Sequence, residues 1–210
     1  MFTKTLLPDT IRAFKLVSKI SIVKKSYLAG GTALALHLGH RISVDLDFFT
    51  QEVFDEKTLS GELNQIQEYK EEGIAWRTVW GKVAETKFSL FYYQYPLIKK
   101  TIKFESIQIL DKEDIAAMKI HALEDRGTKR DFFDLYFLAK EFSMEQMLAF
   151  YDQKYGVLQE HLYIIMRSMD YFQDAEIEDD PRMLIPVSWG EVKIFFQEQT
   201  LKLAKNRIKM

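Results

Sequence analysis

The spacing of apolar residues changes character near residue 110, and that change limits the architectures open to this chain. Before it, short strand-like alternations are interleaved with helical segments; from Asp111 onward the helical period dominates and strand signals are few. Two hundred and ten residues suffice for one domain or two small lobes. The pattern predicts an α+β chain, with a sheet-containing lobe over 1–110 and a mostly helical lobe over 111–210.

Local signals fill in the elements. Pro8, Asp9 and Thr10 precede Ile11, Phe14 and Val17 at helical spacing, which predicts a capped first helix ending near Ile20. Tyr27 to Ala29 reads as a short strand, Gly30 and Gly31 as a turn, and Thr32 to Leu38 as a helix stopped by Gly39. Ile42 to Phe49 alternates as a strand, with Ser43, Asp45, Asp47 and Phe49 on one face. A surface helix is expected over Asp55 to Lys70, then strands over Ile74 to Trp80 and Val83 to Tyr93 joined by a hairpin turn at Gly81 and Lys82. One further strand fits Ile102 to Leu110. Helix starts are marked by Asp111, by Ser143 with Gln146, and by Ser188 with Glu191, and residues 176–181 read as an acidic loop between helices.

Composition excludes several classes of function. Twenty-nine basic and 31 acidic residues leave a formal charge of −2, so strong polyanion binding would need a local patch. With no cysteine there is no disulfide, no thiolate nucleophile and no thiolate zinc site. The longest stretch free of Lys, Arg, Asp and Glu, Ser26 to His40, has 15 residues, short of the roughly 20 that a membrane span needs. Met1 to Leu7 lacks a secretory h-region, and together these features lead us to expect a cytoplasmic protein with no membrane association.

Three clusters hold residues suited to chemistry. Asp45 and Asp47 are i and i+2 on a strand, so their carboxylates leave one face roughly 7 Å apart, close enough to share divalent cations. Magnesium favours such oxygen ligands and keeps waters and substrate phosphates in its other positions. Gly30, Gly31 and Thr32 join a strand to a helix, where a backbone without side chains can approach a phosphate and the helix N-terminus offers N–H groups. Arg41 and Ser43 lie close enough in sequence to extend that cradle. The third cluster runs from Lys119 through Arg126, Arg130, Asp131 and Asp134 to Tyr136. Each has an ordinary structural reading beside the chemical one: a solvated strand face, a capped tight turn, and two helices joined by ion pairs.

Taken in order, these clusters resemble a known family. Gly-Gly-Thr at 30–32, Arg41-x-Ser43-x-Asp45-Leu-Asp47-Phe, Lys119 with Ala122-Leu123, and Arg130-Asp131-x-x-Asp134-Leu look like the AbiEii/AbiGii nucleotidyltransferase toxins of bacterial type IV toxin-antitoxin and abortive-infection systems. The likeness spans roughly residues 27–138. It implies a polymerase-β-like nucleotidyltransferase core with a mixed sheet, followed by a helical lobe. It further implies Asp45 and Asp47 as ligands of Mg2+ or Mn2+ and as catalytic residues, with Gly30, Gly31, Thr32, Arg41, Ser43 and Lys119 binding the nucleotide. Lys119 and Asp131 join the catalytic set. An NTP would be the substrate, an RNA 3′ end (tRNA among them) or a protein side chain the acceptor, and a cognate antitoxin the partner.

The wider superfamily carries a third metal-binding carboxylate on a later core strand. Here the strand candidates are Glu85 and Glu105, with Asp131 as a substitute from the helical lobe; if none serves, the chain would be a catalytically degenerate nucleotide-binding or partner-binding module. A haloacid-dehalogenase-type phosphatase also begins with Asp-x-Asp but wants Thr or Val where this chain has Phe49. Lys202, Lys205, Arg207 and Lys209 form a cationic C-terminal segment that reads either as an RNA contact or as a helix end suited to its dipole.

Overall fold

The computed structural model describes the backbone of residues 1–208 and side chains as far as Lys205. Lys209 and the Arg207 side chain, in the cationic C-terminal segment, lie outside the described residues. The chain forms two compact units, Met1–Asp111 and Lys112–Met210.

The first unit starts with a 3-10 turn, Thr3–Thr5, then α1 (Pro8–Val17) and α2 (Ser21–Lys25). Next come β1 (Tyr27–Leu28), α3 (Gly30–Leu38), β2 (Leu46–Thr50), α4 (Glu56–Leu63), β3 (Tyr69–Ala75), β4 (Thr78–Val83), β5 (Thr86–Tyr92), β6 (Ile102–Phe104) and β7 (Ile107–Ile109). The strands make one seven-stranded sheet in the order β3-β4-β5-β2-β1-β7-β6. It is mixed: β2 runs parallel to β5 and antiparallel to β1, and β1 runs parallel to β7. Along the central strands Leu46, Phe48, Val79, Val83, Phe88 and Leu90 are fully buried, whereas Asp47, Phe49, Trp80, Lys82, Lys87 and Ser89, which alternate with them, are not. One face therefore carries the core and the other stays partly open.

The second unit is helical: α5 (Lys112–Asp125), α6 (Lys129–Leu138), α7 (Met144–Tyr155), α8 (Leu158–Met169), α9 (Gln173–Glu176) and α10 (Trp189–Ile208). Its α7 begins with the capping box expected of Ser143 and Gln146, and Ser188 with Glu191 caps α10. Phe132 touches the rings of Phe172, Trp189 and Phe196 at 5.0–5.5 Å, tying α6 to α10. The acidic stretch has a structural job, because Glu178 accepts from the Lys129 amide at the start of α6, and Asp180 pairs with Lys129 Nζ at 3.1 Å. At the C-terminal end, Lys202 is bound by Glu145 at 2.9 Å.

The α+β architecture is as the apolar pattern predicts, but several boundaries are not. The helix expected to reach Lys70 stops at Leu63, because Tyr69 to Ala75 form an edge strand. Gly81 and Lys82 do not turn; they lie inside β4, and the turns fall at Trp76–Arg77 and Ala84–Glu85. The single strand expected over Ile102 to Leu110 is a hairpin turning at Glu105 and Ser106. All three turns place a residue other than glycine at positive φ: Arg77 (49°), Ala84 (52°) and Glu105 (51°). The composition signal for a tight turn is glycine or asparagine at such positions, so here it was absent.

Gly81 is needed for packing rather than for turning. A Cβ there would overlap the Lys70 carbonyl of the neighbouring strand and crowd the Tyr69 ring at 2.8 Å. Overpacking of this kind costs about 1–3 kcal/mol. Gly81→Ala is expected to lower unfolding stability by that amount in a urea titration, with β3 losing amide protection first.

Candidate active site

Four hydrogen bonds and two missing side chains build the site of the first unit. β1 pairs with β2 so that Leu28 faces Phe48, and the Ala29 amide donates to the Asp47 carbonyl at 2.9 Å. The chain then enters α3 directly at Gly30, two residues earlier than the sequence pattern places it. Gly30 has φ +64°, and a Cβ there would stand 3.2 Å from Asp47 Oδ2. At Gly31 a Cβ would overlap the Arg41 guanidinium and approach Ser43 Oγ at 3.5 Å. The two glycines thus let the first turn of α3 rest directly on the Asp47 carboxylate and on Arg41. No side chain caps this helix, so its N-terminal amides and the positive end of its dipole remain the natural seat for an anion.

Thr32 has a different task from the one its position implies. Its hydroxyl lies 2.8 Å from Ser43 Oγ and bonds to the Asp45 carbonyl. A carbonyl can only accept, so Thr32 donates to Asp45 and accepts from Ser43. That proton is committed, and Thr32, with 2% of its surface exposed, fixes the backbone at Asp45 instead of pointing a donor outward. The Ser43 amide in turn donates to the Thr5 carbonyl at 3.0 Å. These contacts explain why the strand expected from Ile42 begins only at Leu46: residues 42–45 bond to α3 and to the N-terminal turn rather than to a sheet neighbour. The alternation across Leu46 to Phe49 is as expected, and Asp45 and Asp47 are half-buried.

The strand candidates for a third carboxylate are both displaced. Glu85 and Glu105 sit on hairpin turns, not on strands. The residue of β5 in register with Asp47 is Ser89. Among the described residues no group of three or more His, Asp or Glu side chains is arranged to hold a metal. Two half-buried carboxylates beside an uncapped helix start are still a donor set that suits magnesium, which commonly takes one or two protein carboxylates and completes its shell with waters and phosphates.

Lys119 and Asp131 belong to the second unit, where they form a buried charge cluster. Lys119 Nζ lies 2.8 Å from Asp131 Oδ1 and 2.5 Å from Asp134 Oδ2. Asp131 Oδ2 accepts from Thr128 Oγ1 at 2.6 Å and from Arg126 Nε at 3.2 Å. Burial alone would raise the Asp131 carboxyl; the Lys119 ammonium, the Arg126 guanidinium and hydrogen bonds from Lys119 and Thr128 outweigh it and hold the group at about 2. Asp131 is therefore ionised and fully engaged at neutral pH. The sequence placed Asp131 and Asp134 on one helix face three residues apart, but only the fold shows both converging on one lysine.

Comparison with known proteins places the chain. The model of the family described as nucleotidyl transferase AbiEii toxin, type IV TA system, matches residues 22–105 and 93–188. An uncharacterised protein of Aquifex aeolicus is 33% identical over 202 residues, covering 92% of this chain and 95% of that one. Among solved structures, MenT4, a nucleotidyltransferase toxin of Mycobacterium tuberculosis H37Rv, superposes with a TM-score of 0.59 at 14% identity, covering 91% of this chain and 81% of that one. JHP933 of Helicobacter pylori superposes with a TM-score of 0.53 at 22% identity over 97% of each chain. These structures share the fold, and the family match bears out the resemblance read from the motifs.

The buried cluster makes a testable demand on stability. Because the folded Asp131 titrates near 2, below its ordinary 3.8, its contribution of about 2 kcal/mol is present above pH 4 and is lost as pH falls toward 2. Lys119→Met removes the buried cation that Asp131 and Asp134 share, which costs about 3–5 kcal/mol. Denaturation at pH 7 is expected to show that loss, and the loss is expected to shrink as pH is lowered from 5 to 3.

Proposed function

The chain belongs to the AbiEii nucleotidyl transferase toxin family, and from that premise we propose that it transfers a nucleoside monophosphate from an NTP to an acceptor hydroxyl in a metal-dependent reaction. We propose further that the acceptor is an RNA 3′ end, that the chain is the toxin of a pair restrained by a cognate antitoxin, and that it works in the cytoplasm. Among the described residues no helix is long and apolar enough to cross a membrane.

The observation that carries this reading is the seating of the uncapped start of α3 on Asp47 and Arg41 through Gly30 and Gly31. Asp45 and Asp47 would hold Mg2+ or Mn2+, which when bound neutralises triphosphate charge and polarises the reacting phosphorus. The first amides of α3 receive phosphate oxygens, and the buried Arg41 guanidinium beneath Gly31 adds fixed positive charge. Thr32 and Ser43 keep the Asp45 backbone in place. In the reaction the acceptor oxygen bonds to the α-phosphorus, the hydroxyl proton passes to solvent water, and the bond from that phosphorus to the bridging oxygen breaks, releasing pyrophosphate. Asp131, already bound by three donors and ionised down to about pH 2, is a weak proton acceptor. Its contribution is to orient Lys119, the second unit's nucleotide-binding candidate, through their 2.8 Å ion pair.

Incubation with total RNA, magnesium and each α-labelled NTP is expected to move label onto RNA. Asp45→Ala and Asp47→Ala are expected to lower that transfer at least a thousandfold with unchanged thermal melting; full transfer by either variant would overturn the metal assignment. Gly31→Ala displaces the Arg41 guanidinium and is expected to raise KM for NTP more than it lowers kcat. Label found on protein instead of RNA would replace the RNA acceptor with a side chain.

A further inference from the structure

The open face of the sheet is laid out in rows by strand register. On β4 and β5, Lys82 pairs directly with Lys87, Trp80 with Ser89, and Thr78 with Phe91. The parallel pairing of β5 with β2 extends two of these rows, setting Ser89 beside Asp47 and Phe91 beside Phe49. The face therefore reads, in order along β5, as a cationic row, a row that ends on Asp47, and an aromatic row. Neighbouring rows are about 7 Å apart and neighbouring strands about 4.8 Å apart.

Two details of this layout are more than strand pairing requires. Like charges placed directly opposite each other on antiparallel strands repel and weaken the pairing. Glu72 offsets part of the repulsion from 3.7 Å, but Lys87 is exposed and the only acidic residue on the intervening turn is Glu85. The second detail is the position of the aromatic rings. Trp80, Phe49 and Phe91 are only partly buried on this face, Phe49 and Phe91 stack at 5.1 Å, and the Trp80 indole fills the space that a side chain at Gly73 would take. Gly73 sits where the β3–β4 register shifts, so the strand itself is adjusted to receive that ring.

We propose that this face is the track for the single-stranded end of an RNA acceptor, with phosphates drawn to Lys82 and Lys87 and unpaired bases stacked on Trp80 and Phe91, bringing the strand past Asp47. Paired lysines supply the polyanion contact, and aromatic faces receive only bases that are not already stacked in a duplex. This also reconciles nucleic-acid binding with a net charge of −2, since the positive charge is local. The proposal rests on the RNA-acceptor reading above and names the surface that would serve it.

The test separates binding from turnover. A fluorescein-labelled single-stranded RNA is titrated with the wild-type chain in the absence of NTP, by anisotropy, at several salt concentrations. The Lys82→Ala, Lys87→Ala double variant is expected to reduce the slope of log K against log salt by about 1.4, from about 0.7 per lost phosphate contact on a single strand. Phe91→Ala is expected to weaken binding roughly tenfold or more, as the loss of one stacked base does, and Phe91→Trp to retain it. NTP affinity, measured by calorimetry, is expected to be unchanged in all three. The lysine variants alter partly exposed side chains, so they keep the test decisive if Phe91→Ala fails to fold. Unchanged RNA affinity and salt slope would overturn the proposal, and would leave the face to a protein partner. A parallel loss of NTP affinity would also overturn it, by assigning the lysines to the triphosphate. A wild type that binds RNA on this face but transfers no label would refute nucleotidyl transfer to RNA while leaving the track in place.

Discussion

The first turn of α3 can lie against β2 because Gly30 and Gly31 have no Cβ, and the chemistry of the first unit follows from that contact. Any side chain at either position would meet the Asp47 carboxylate or the Arg41 guanidinium. The contact places a helix dipole, uncapped backbone amides, an acidic side chain and a buried cation within one short stretch of backbone. It also accounts for the local covalent order: β1 must be short, α3 must begin at once, and residues 42–45 must leave the sheet so that Thr32 can bond to the Asp45 carbonyl.

A different rule governs the second unit, where buried charge is tolerated because it is paired. Lys119 faces two aspartates, and Lys154 and Asp114 meet at 2.7 Å with neither exposed. Such pairs add little net stability against a well-packed apolar alternative, but breaking one leaves an uncompensated ion in a low-dielectric interior. That asymmetry fixes the relative placement of α5, α6 and α7, the elements that carry these side chains. It also changes how Asp131 is understood. A carboxylate held by a lysine, an arginine and a threonine hydroxyl orients its cation; it does not take up a proton at neutral pH.

Several features were legible in the residues alone because they are local. Helix starts at Ser143 and Ser188 are set by side chains bonding to amides three residues away, so a short window suffices to find them. The same holds for Gly39, whose φ of +68° ends α3 as the sequence pattern requires. The hairpins were misread for an equally local reason. Arg77, Ala84 and Glu105 adopt the left-handed conformation without the glycine or asparagine that advertises it, while Gly81 and Gly73, which do stand out, make room for Tyr69 and Trp80.

The sequence by itself determined the class of fold and the order of the motifs Gly30-Gly31-Thr32, Asp45-Leu46-Asp47, Lys119 and Asp131, because periodicity and short spacing survive without a structure. Tertiary structure decided what each of those groups touches. Register between strands far apart in the chain set Ser89 beside Asp47, and helix packing turned the Asp131 carboxylate from a free acid into the partner of Lys119. Contacts of that kind depend on the sum of many weak, distant interactions, and no window along the chain contains them.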